Sequence, residues 1–398
     1  MTGPLKGIRI IDLTAMISGP LATMMLADQG AEVIKIENPA GGDFTRSAAN
    51  RQGDVSASFL NNNRNKKSVA LNLKEPEGRD ALLKLVATAD VFVQNFRPGV
   101  IERMGLGEDE LRKVAPNLIM VSISGFGDTG PYSQRPVYDP LIQGLSGLAT
   151  VQAGADGRRP QLVRTILPDK LTGVTAAQAI TAALFARERT GESQHVRLSM
   201  LDAIIAFLWS SDMGSQTFVR GDVPQQEAAS FQDLIYETTT GYIAIAVQND
   251  REWQAIIRAL NRPEWAEDPR FLTAELRQQN IDDRLELIQS VIRRDSAEHW
   301  LARLEEEQVP CAPVLTRTQM LDHPQVQAND LLVDYHHPQA GHIRQTRAPA
   351  RFSSAADQYL QGAPTLGQHT SALLAECGYS REEIQGMIDS GTAGKPID

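Results

Sequence analysis

Two cysteines, Cys311 and Cys377, in a chain of 398 residues cannot build a disulfide framework or a Cys-based zinc site. Positive charge is scarce as well. The net charge of −10 excludes a broad nucleic-acid face, because phosphate backbones need clustered cations. It leaves room for a phosphorylated small molecule, which a few local cations and helix N-termini can hold. No apolar run nears the ~20 residues of a membrane span, and Met1-Thr2-Gly3-Pro4-Leu5-Lys6 lacks the apolar centre of a signal peptide. The seven histidines are scattered, and no H-E-x-x-H, Walker or G-x-S-x-G pattern occurs. His336-His337 stands in a proline-flanked stretch that reads as a solvated loop. What is present is ordinary: 42% hydrophobic and 22% charged residues, as in globular enzymes. The expectation is a cytoplasmic enzyme with no metal, no nucleic-acid partner and no membrane partner.

The patterning predicts an α/β protein. Ile8–Leu13 is a short apolar run, Pro20–Ala27 has helical spacing, Gly30 can close that helix, and Glu32–Glu37 alternates like a strand. This is a βαβ unit, which implies parallel pairing. Helices at 76–87 and 107–115 and strands at 90–94 and 118–124 continue the pattern. A long helix of small residues, Leu171–Arg189, stops at Gly191. His195–Leu198 is then a strand and Met200–Val219 a helix, apolar on most faces and hence buried. Residues 220–230, with Pro224 and little periodicity, form a crossing. The smaller region beyond it holds a strand at 242–247 and helices at 251–261, 281–294 and 296–307. Two short helices, 367–378 and 381–391, close the chain. The boundaries predicted are 1–220 for the first part of a large domain, 221–330 for a small domain, and 331–398 for the return to the large one.

Gly125-Phe126-Gly127-Asp128-Thr129-Gly130 matches G-x-G-x-x-G after a strand. Pro131-Tyr132 follows, no helix opens there, and the dinucleotide fingerprint therefore lacks its context. A loop that lets a substrate approach the backbone fits better.

Several local stretches, in order, resemble one family. They are Pro4–Leu13, Ile17-Ser18-Gly19-Pro20, Leu26–Glu37, Gly42-Asp43 with Arg46, and Asn65–Ser68 leading to Leu73-Lys74. Asn95–Gly99 with Arg103-Met104-Gly105, Ser122–Gly127, Gly130-Pro131-Tyr132, Tyr138-Asp139, Ser146-Gly147, Asp169 with Thr172-Gly173, and Pro364–Thr370 continue the series. Together they resemble the class III CoA-transferases, a group that includes formyl-CoA transferase and the α-methylacyl-CoA racemases. The resemblance runs through nearly the whole chain. It implies a large parallel-sheet domain of Rossmann type, a smaller inserted domain, and two chains interlaced as a homodimer. It implies acyl-CoA and a carboxylic acid acceptor as substrates, with no permanently bound cofactor.

The resemblance also implies roles for residues. Asp169 becomes the carboxylate that attacks the thioester, forming an aspartyl anhydride and then an aspartyl-CoA thioester. Taken alone, Asp169 reads first as a helix cap, which aspartate does well. Matching positions imply CoA contacts at Ile17, Ser18, Asn38, Leu71, Asn72, Leu73, Lys74, Asn95, Phe96, Arg97, Arg103, Met104, Val137 and Tyr138. Lys74 and Arg103 suit phosphates and Met104 suits adenine. Asn38 departs from members that carry arginine there and brings no charge.

Three further readings follow from departures. Where the racemases carry histidine and glutamate this chain has Tyr138 and Gln248, neither of which readily accepts an α-proton. Transfer is therefore favoured over racemisation. No glycine-run loop lies between Pro224 and Tyr242, so Ala228–Asp233 is the candidate lid that keeps water from the anhydride. If water enters, the outcome is a thioester hydrolase; a CoA-binding subunit with Asp169 idle is the non-enzymatic alternative. Finally, Arg46, Arg64 and Arg164 are candidates to meet a second carboxylate, which points to a small dicarboxylic acyl group.

Overall fold

The apolar run after Ile8 becomes β1 (Arg9–Leu13), whose Ile10 and Ile11 are fully buried on opposite faces of a sheet. Such burial contributes roughly 1.5–3 kcal/mol per side chain. The computed structural model describes residues 3–48, 50–53, 55–154, 156–219, 234–353 and 361–395. After β1 come α1 (Ser18–Asp28), β2 (Glu32–Glu37), β3 (Arg51–Gln52), β4 (Val55–Ser56), α2 (Ala57–Asn63), β5 (Lys66–Ala70), α3 (Pro76–Val86) and β6 (Val91–Gln94). Next are α4 (Val100–Arg103), α5 (Glu108–Val114), β7 (Ile119–Ser124), α6 (Asp139–Leu145), α7 (Leu148–Val151), α8 (Leu167–Thr190), β8 (His195–Ser199), α9 (Met200–Trp209) and α10 (Gly214–Thr217).

Six of these strands form one sheet in the order β5-β2-β1-β6-β7-β8, with every neighbouring pair parallel. The winding runs outward from β1 in one direction and then from β6 in the other. The C-terminal ends of β1 and β6 therefore bound a crevice, the place where open α/β sheets take their ligands. α1 and α8 cover one face, and α3 and α5 the other. The second face is completed by the chain's end, where α17 (Thr370–Glu376) contributes Leu373 and Leu374 and α18 (Arg381–Asp389) contributes Ile384 and Met387.

The chain divides into two units, Met1–Ala228 with Leu331–Asp398, and Ala229–Asp330. The second unit holds β9 (Ile235–Thr238), β10 (Gly241–Ile245), α11 (Asp250–Ala259), α12 (Ala274–Gln279), α13 (Ile281–Ile292), α14 (Ala297–Glu306), β11 (Cys311–Pro313), α15 (Arg317–Leu321) and α16 (Pro324–Ala328). It has its own core, built on Trp253, Phe271, Ile256 and Ile292.

Two local expectations need correction. Met200–Val219 is not one buried helix: α9 ends at Trp209, and Phe207 and Trp209 are about half exposed, at 47% and 48%. His336-His337 lies not in a solvated loop but in β12 (Leu332–His337), which pairs antiparallel with β13 (Gly341–Thr346). His337 is buried, its Nε2 2.8 Å from the Ala363 carbonyl, while its Nδ1 accepts the Gln339 and Ala340 N–H groups. Lys66-Lys67, which the patterning assigns to no element, opens a strand, and Lys66 turns inward onto Asp12. The candidate lid Ala228–Asp233 lies outside the described residues.

Candidate active site

At the crevice the chain leaves β1 through Thr14-Ala15-Met16-Ile17, and four polar groups fix that turn. Asp12 accepts the Thr14 N–H and hydroxyl. Asn95, just past β6, accepts the Ala15 N–H at 2.9 Å and donates to the Ala15 carbonyl at 2.8 Å. Asp43 accepts the Met16 N–H, and Lys35 Nζ donates to the Thr14 carbonyl at 2.7 Å. Met16 sits at φ 71°, a conformation that costs a non-glycine residue about 1–3 kcal/mol. These bonds offset that cost and present the N-terminus of α1 in one geometry.

Beneath the turn lies a group of buried charges. Lys35 pairs with Asp43 at 2.9 Å, Lys66 with Asp12 at 2.9 Å, and Arg46 with Glu37 at 2.8 Å. Burial alone would raise the Asp12 carboxyl, yet Lys66 and Lys35 overcome it and hold Asp12 at about 2. Burial pulls Lys66 down, to about 8, against the attraction of Asp12. Glu37 and Asp43 are likewise depressed: burial works to raise them, and Arg46 and Lys35 respectively prevail. Every charge in this group has a partner.

Above the network opens a cavity of about 280 Å3, the size of a small-molecule subsite. Of the sequence-predicted CoA contacts, Asn38, Leu71, Asn72, Leu73, Lys74, Phe96 and Met104 line it. Asn38 is exposed and turns its Oδ1 onto the Ala40 N–H. Ile17 and Ser18 begin α1 beside the cavity's Thr14-Ala15 edge. Phe96 also borders a smaller cavity of about 160 Å3 that takes in Arg97. There Gln94 Nε2 donates to Ser122 Oγ, which lies 2.9 Å from His195 Nε2, while His195 Nδ1 is 2.6 Å from Glu108. Arg103, exposed at the end of α4, lines neither cavity. Nor do Val137, packed onto the α carbon of Gly125, and Tyr138, 68% exposed before α6.

Asp169 stands where two helices converge. α8 begins at Leu167, two residues before Asp169, so the expectation that Asp169 starts or caps the helix is corrected: it lies inside the first turn. The backbone N–H and the hydroxyl of Ser18 on α1 face its carboxylate and act to pull it down. Glycine makes the approach possible. A Cβ on Gly173 would come 2.8 Å from the Ser18 carbonyl oxygen, so only a bare α carbon lets α8 lie this close to α1. The residue missed by sequence reasoning is Asp139 as a neighbour of Asp169. Buried in α6, Asp139 accepts the Asp169 N–H at 3.2 Å and the Gln143 side-chain amide at 2.6 Å. Burial, and then the Asp139 charge, push the Asp169 carboxyl up to about 6, against the two Ser18 hydrogen bonds. A carboxyl so shifted, in a corner with no cation acting on it, has the mark of a reacting group.

A six-stranded parallel sheet with a crevice at its switch point fits what the comparisons give. The family model for CoA-transferase family III matches residues 5–370. The chain belongs to CoA-transferase family III. This CoA-transferase is 35% identical over 396 residues to succinyl-CoA:glutarate CoA-transferase of Mus musculus, covering 98% of this chain and 90% of that one. It is 35% identical over 381 residues to acetyl-CoA:oxalate CoA-transferase of Acetobacter aceti, covering 94% and 96% of the two chains. It is 33% identical to a formyl-CoA:oxalate CoA-transferase of Escherichia coli, covering 97% and 99%. Among solved structures, Rv3272 from Mycobacterium tuberculosis superposes with a TM-score of 0.81 at 32% identity, covering 93% of this chain and 99% of that one. A CaiB/BaiF family protein from Brucella suis does so at 0.80 and 31%, covering 95% and 100%. Among the described residues no cluster of metal-ligating side chains occurs, and no helix is long and apolar enough to cross a membrane.

Proposed function

We propose that the enzyme moves CoA from an acyl-CoA to a carboxylic acid through covalent intermediates on Asp169. The observation that carries this is the single carboxylate lodged between the N-terminus of α1 and the first turn of α8, raised to about 6 beside Asp139. An Asp169 oxygen attacks the thioester carbonyl, the C–S bond breaks, and CoA leaves as thiolate with an aspartyl anhydride formed. The thiolate then attacks the Asp169 carbonyl and releases the donor acid as carboxylate. The acceptor carboxylate attacks the aspartyl-CoA thioester, and the returning thiolate takes the acceptor's acyl group and frees Asp169. Each step exchanges one acyl bond for another, the division of labour that covalent catalysis provides.

In this reading the 280 Å3 cavity takes part of CoA, with Lys74 at its edge for a phosphate. The pair of amide and hydroxyl donors at Ser18, at a helix N-terminus, is suited to negative charge developing near Asp169. Tyr138 beside Asp139, and Gln248 in the second unit, supply no α-proton base, which favours transfer over racemisation. The curated relatives act on oxalate and glutarate, so a dicarboxylic acid is the acceptor class we assign. A homodimer, interlaced as the resemblance implies, is supported by apolar side chains left open on α8 and α9: Val174, Phe185, Phe207 and Trp209. Light scattering on the purified protein checks it, and a monomer at micromolar concentration contradicts it. For the activity itself, Asp169→Ala removes transfer between acyl-CoA and acid while CoA binding persists. Transfer by that variant at near wild-type rate overturns the assignment.

A further inference from the structure

Of three arginines that sequence reasoning offers to a second carboxylate, the structure removes two. Arg46 is buried, its Nε and Nη2 each 2.8 Å from a Glu37 oxygen, with Nη2 also on the Pro364 carbonyl. Arg64 is buried too, held by both oxygens of Asp28 at 3.0 and 2.5 Å. Those guanidinium groups are spent on structure. Arg164 is different. It is exposed, and among the described residues it has neither an ion pair nor a hydrogen bond from its side chain.

Its place in the chain gives that freedom meaning. The preceding residue, Val163, is fixed on both sides by one amide. The Val163 N–H donates to Gln143 Oε1 at 2.9 Å, and its carbonyl accepts from Gln143 Nε2 at 3.2 Å. The same Nε2 donates to Asp139 Oδ1 at 2.6 Å, and Asp139 Oδ2 accepts the Asp169 N–H at 3.2 Å. Four hydrogen bonds thus tie the backbone beside Arg164 to the support of the nucleophile. Lys170, the nearest cation in sequence on the other side, is engaged with the Thr165 hydroxyl.

Electrostatics supplies the need. Asp139 and Asp169 make the corner negative, and no cation contributes to the position of the Asp169 carboxyl. A diacid brings one carboxylate that reacts and one that stays charged throughout the cycle. That second charge has to approach two aspartates, which is unfavourable unless a fixed cation meets it. Guanidinium suits the task, because its planar fork takes both carboxylate oxygens.

We propose that Arg164 is the specificity-determining residue of this CoA-transferase, reading the far carboxylate of a dicarboxylic acyl group held at Asp169. The inference rests on the reading of Asp169 as nucleophile. The test compares glutarate with butyrate, which has one fewer charge, as acceptors with succinyl-CoA, acetyl-CoA or formyl-CoA as donor. Wild type, Arg164→Ala and Arg164→Lys are assayed for kcat and KM, and each is trapped with hydroxylamine after incubation with the donor. The glutarate-over-butyrate ratio of kcat/KM falls roughly ten- to a hundredfold in Arg164→Ala, mainly through KM, the loss set by one charge-assisted pair. Arg164→Lys restores part of the preference, and Asp169 is still trapped in all three proteins. A ratio unchanged within twofold in Arg164→Ala, or a wild type with no preference for the diacid, overturns the assignment of Arg164 alone. Absence of any Asp169 adduct in the wild type overturns the nucleophile reading and this inference with it.

Discussion

The charged groups beneath the Thr14–Ile17 turn and those at the head of α8 are built on opposite rules. Under the turn, Asp12, Lys35, Asp43 and Lys66 are all buried, and each carboxylate has a cation at ion-pair distance. The carboxyls there sit below their ordinary range. At the head of α8, Asp139 and Asp169 share a hydrogen bond through the backbone, no cation is among the groups that shift Asp169, and Asp169 sits above its range. The lesson concerns what a buried charge is for. Where neutralisation is complete the charges fix backbone, here the strained turn at Met16. Where it is withheld, a carboxyl sits above its ordinary range, as the role we propose for Asp169 requires.

The largest effect comes from breaking the paired side. Lys66→Met strands Asp12 among buried groups, and the fold loses about 3–5 kcal/mol in denaturant unfolding. The double variant Lys66→Met with Asp12→Asn recovers part of that loss, because the uncompensated charge is gone. The unpaired side behaves the other way. A carboxyl at about 6, against an ordinary 3.8, is a group the fold prefers protonated. The folded state then binds more protons than the unfolded one between those values, so stability from this group falls as pH rises through that window. Asp169→Asn is accordingly more stable than wild type at pH 7 by about 3 kcal/mol, and the difference shrinks as pH falls from about 6 and is gone below about 4. Asp12, held at about 2, contributes in the opposite sense. Its stabilisation is present above pH 4 and is lost as pH falls through 2.

Two smaller effects sharpen the contrast. Lys74→Ala removes a cation from the cavity edge and weakens CoA binding by about 1.5 kcal/mol, or roughly tenfold, in calorimetry at fixed salt. The smallest is Asp139→Asn. Burial is the first cause of the raised Asp169 carboxyl and the Asp139 charge only the second. The acid limb of the pH–rate profile, expected near 6 in wild type, therefore moves down only part of the way toward the ordinary carboxylate range. A limb that stays in place shows that burial alone sets it.

Much of this was legible in the sequence, and what was not has identifiable causes. The βαβ pattern, the long helix of small residues and the family resemblance led to the right sheet, and the resemblance alone pointed to Asp169, the residue on which the proposed chemistry rests. The strand at Lys66–Ala70 was not among the predicted elements: it opens on two lysines, and only the fold shows Lys66 neutralised by Asp12 inside. The helix after Met200 was drawn too long because Phe207, Trp209 and Phe218 look buried by type, and in this chain they are exposed. Among the predicted contacts, those between Leu71 and Lys74 come to the cavity because β5 delivers them to the strand ends. Asn95 does not offer its side chain to a ligand, since both its polar atoms hold Ala15. Asp139 was visible only as half of a Tyr-Asp pair, because its meaning depends on α6 and α8 meeting at their N-terminal turns.

The measurement that bears most directly on the difference between the two regions is peptide mass spectrometry of the enzyme incubated with acyl-CoA and quenched in hydroxylamine. A carboxylate activated as anhydride or thioester becomes a hydroxamate, while an ion-paired carboxylate does not react. The account predicts a hydroxamate on Asp169, with Asp12, Asp43 and Asp139 unmodified and no adduct in Asp169→Ala. A hydroxamate on another carboxylate, or full turnover without one on Asp169, contradicts it.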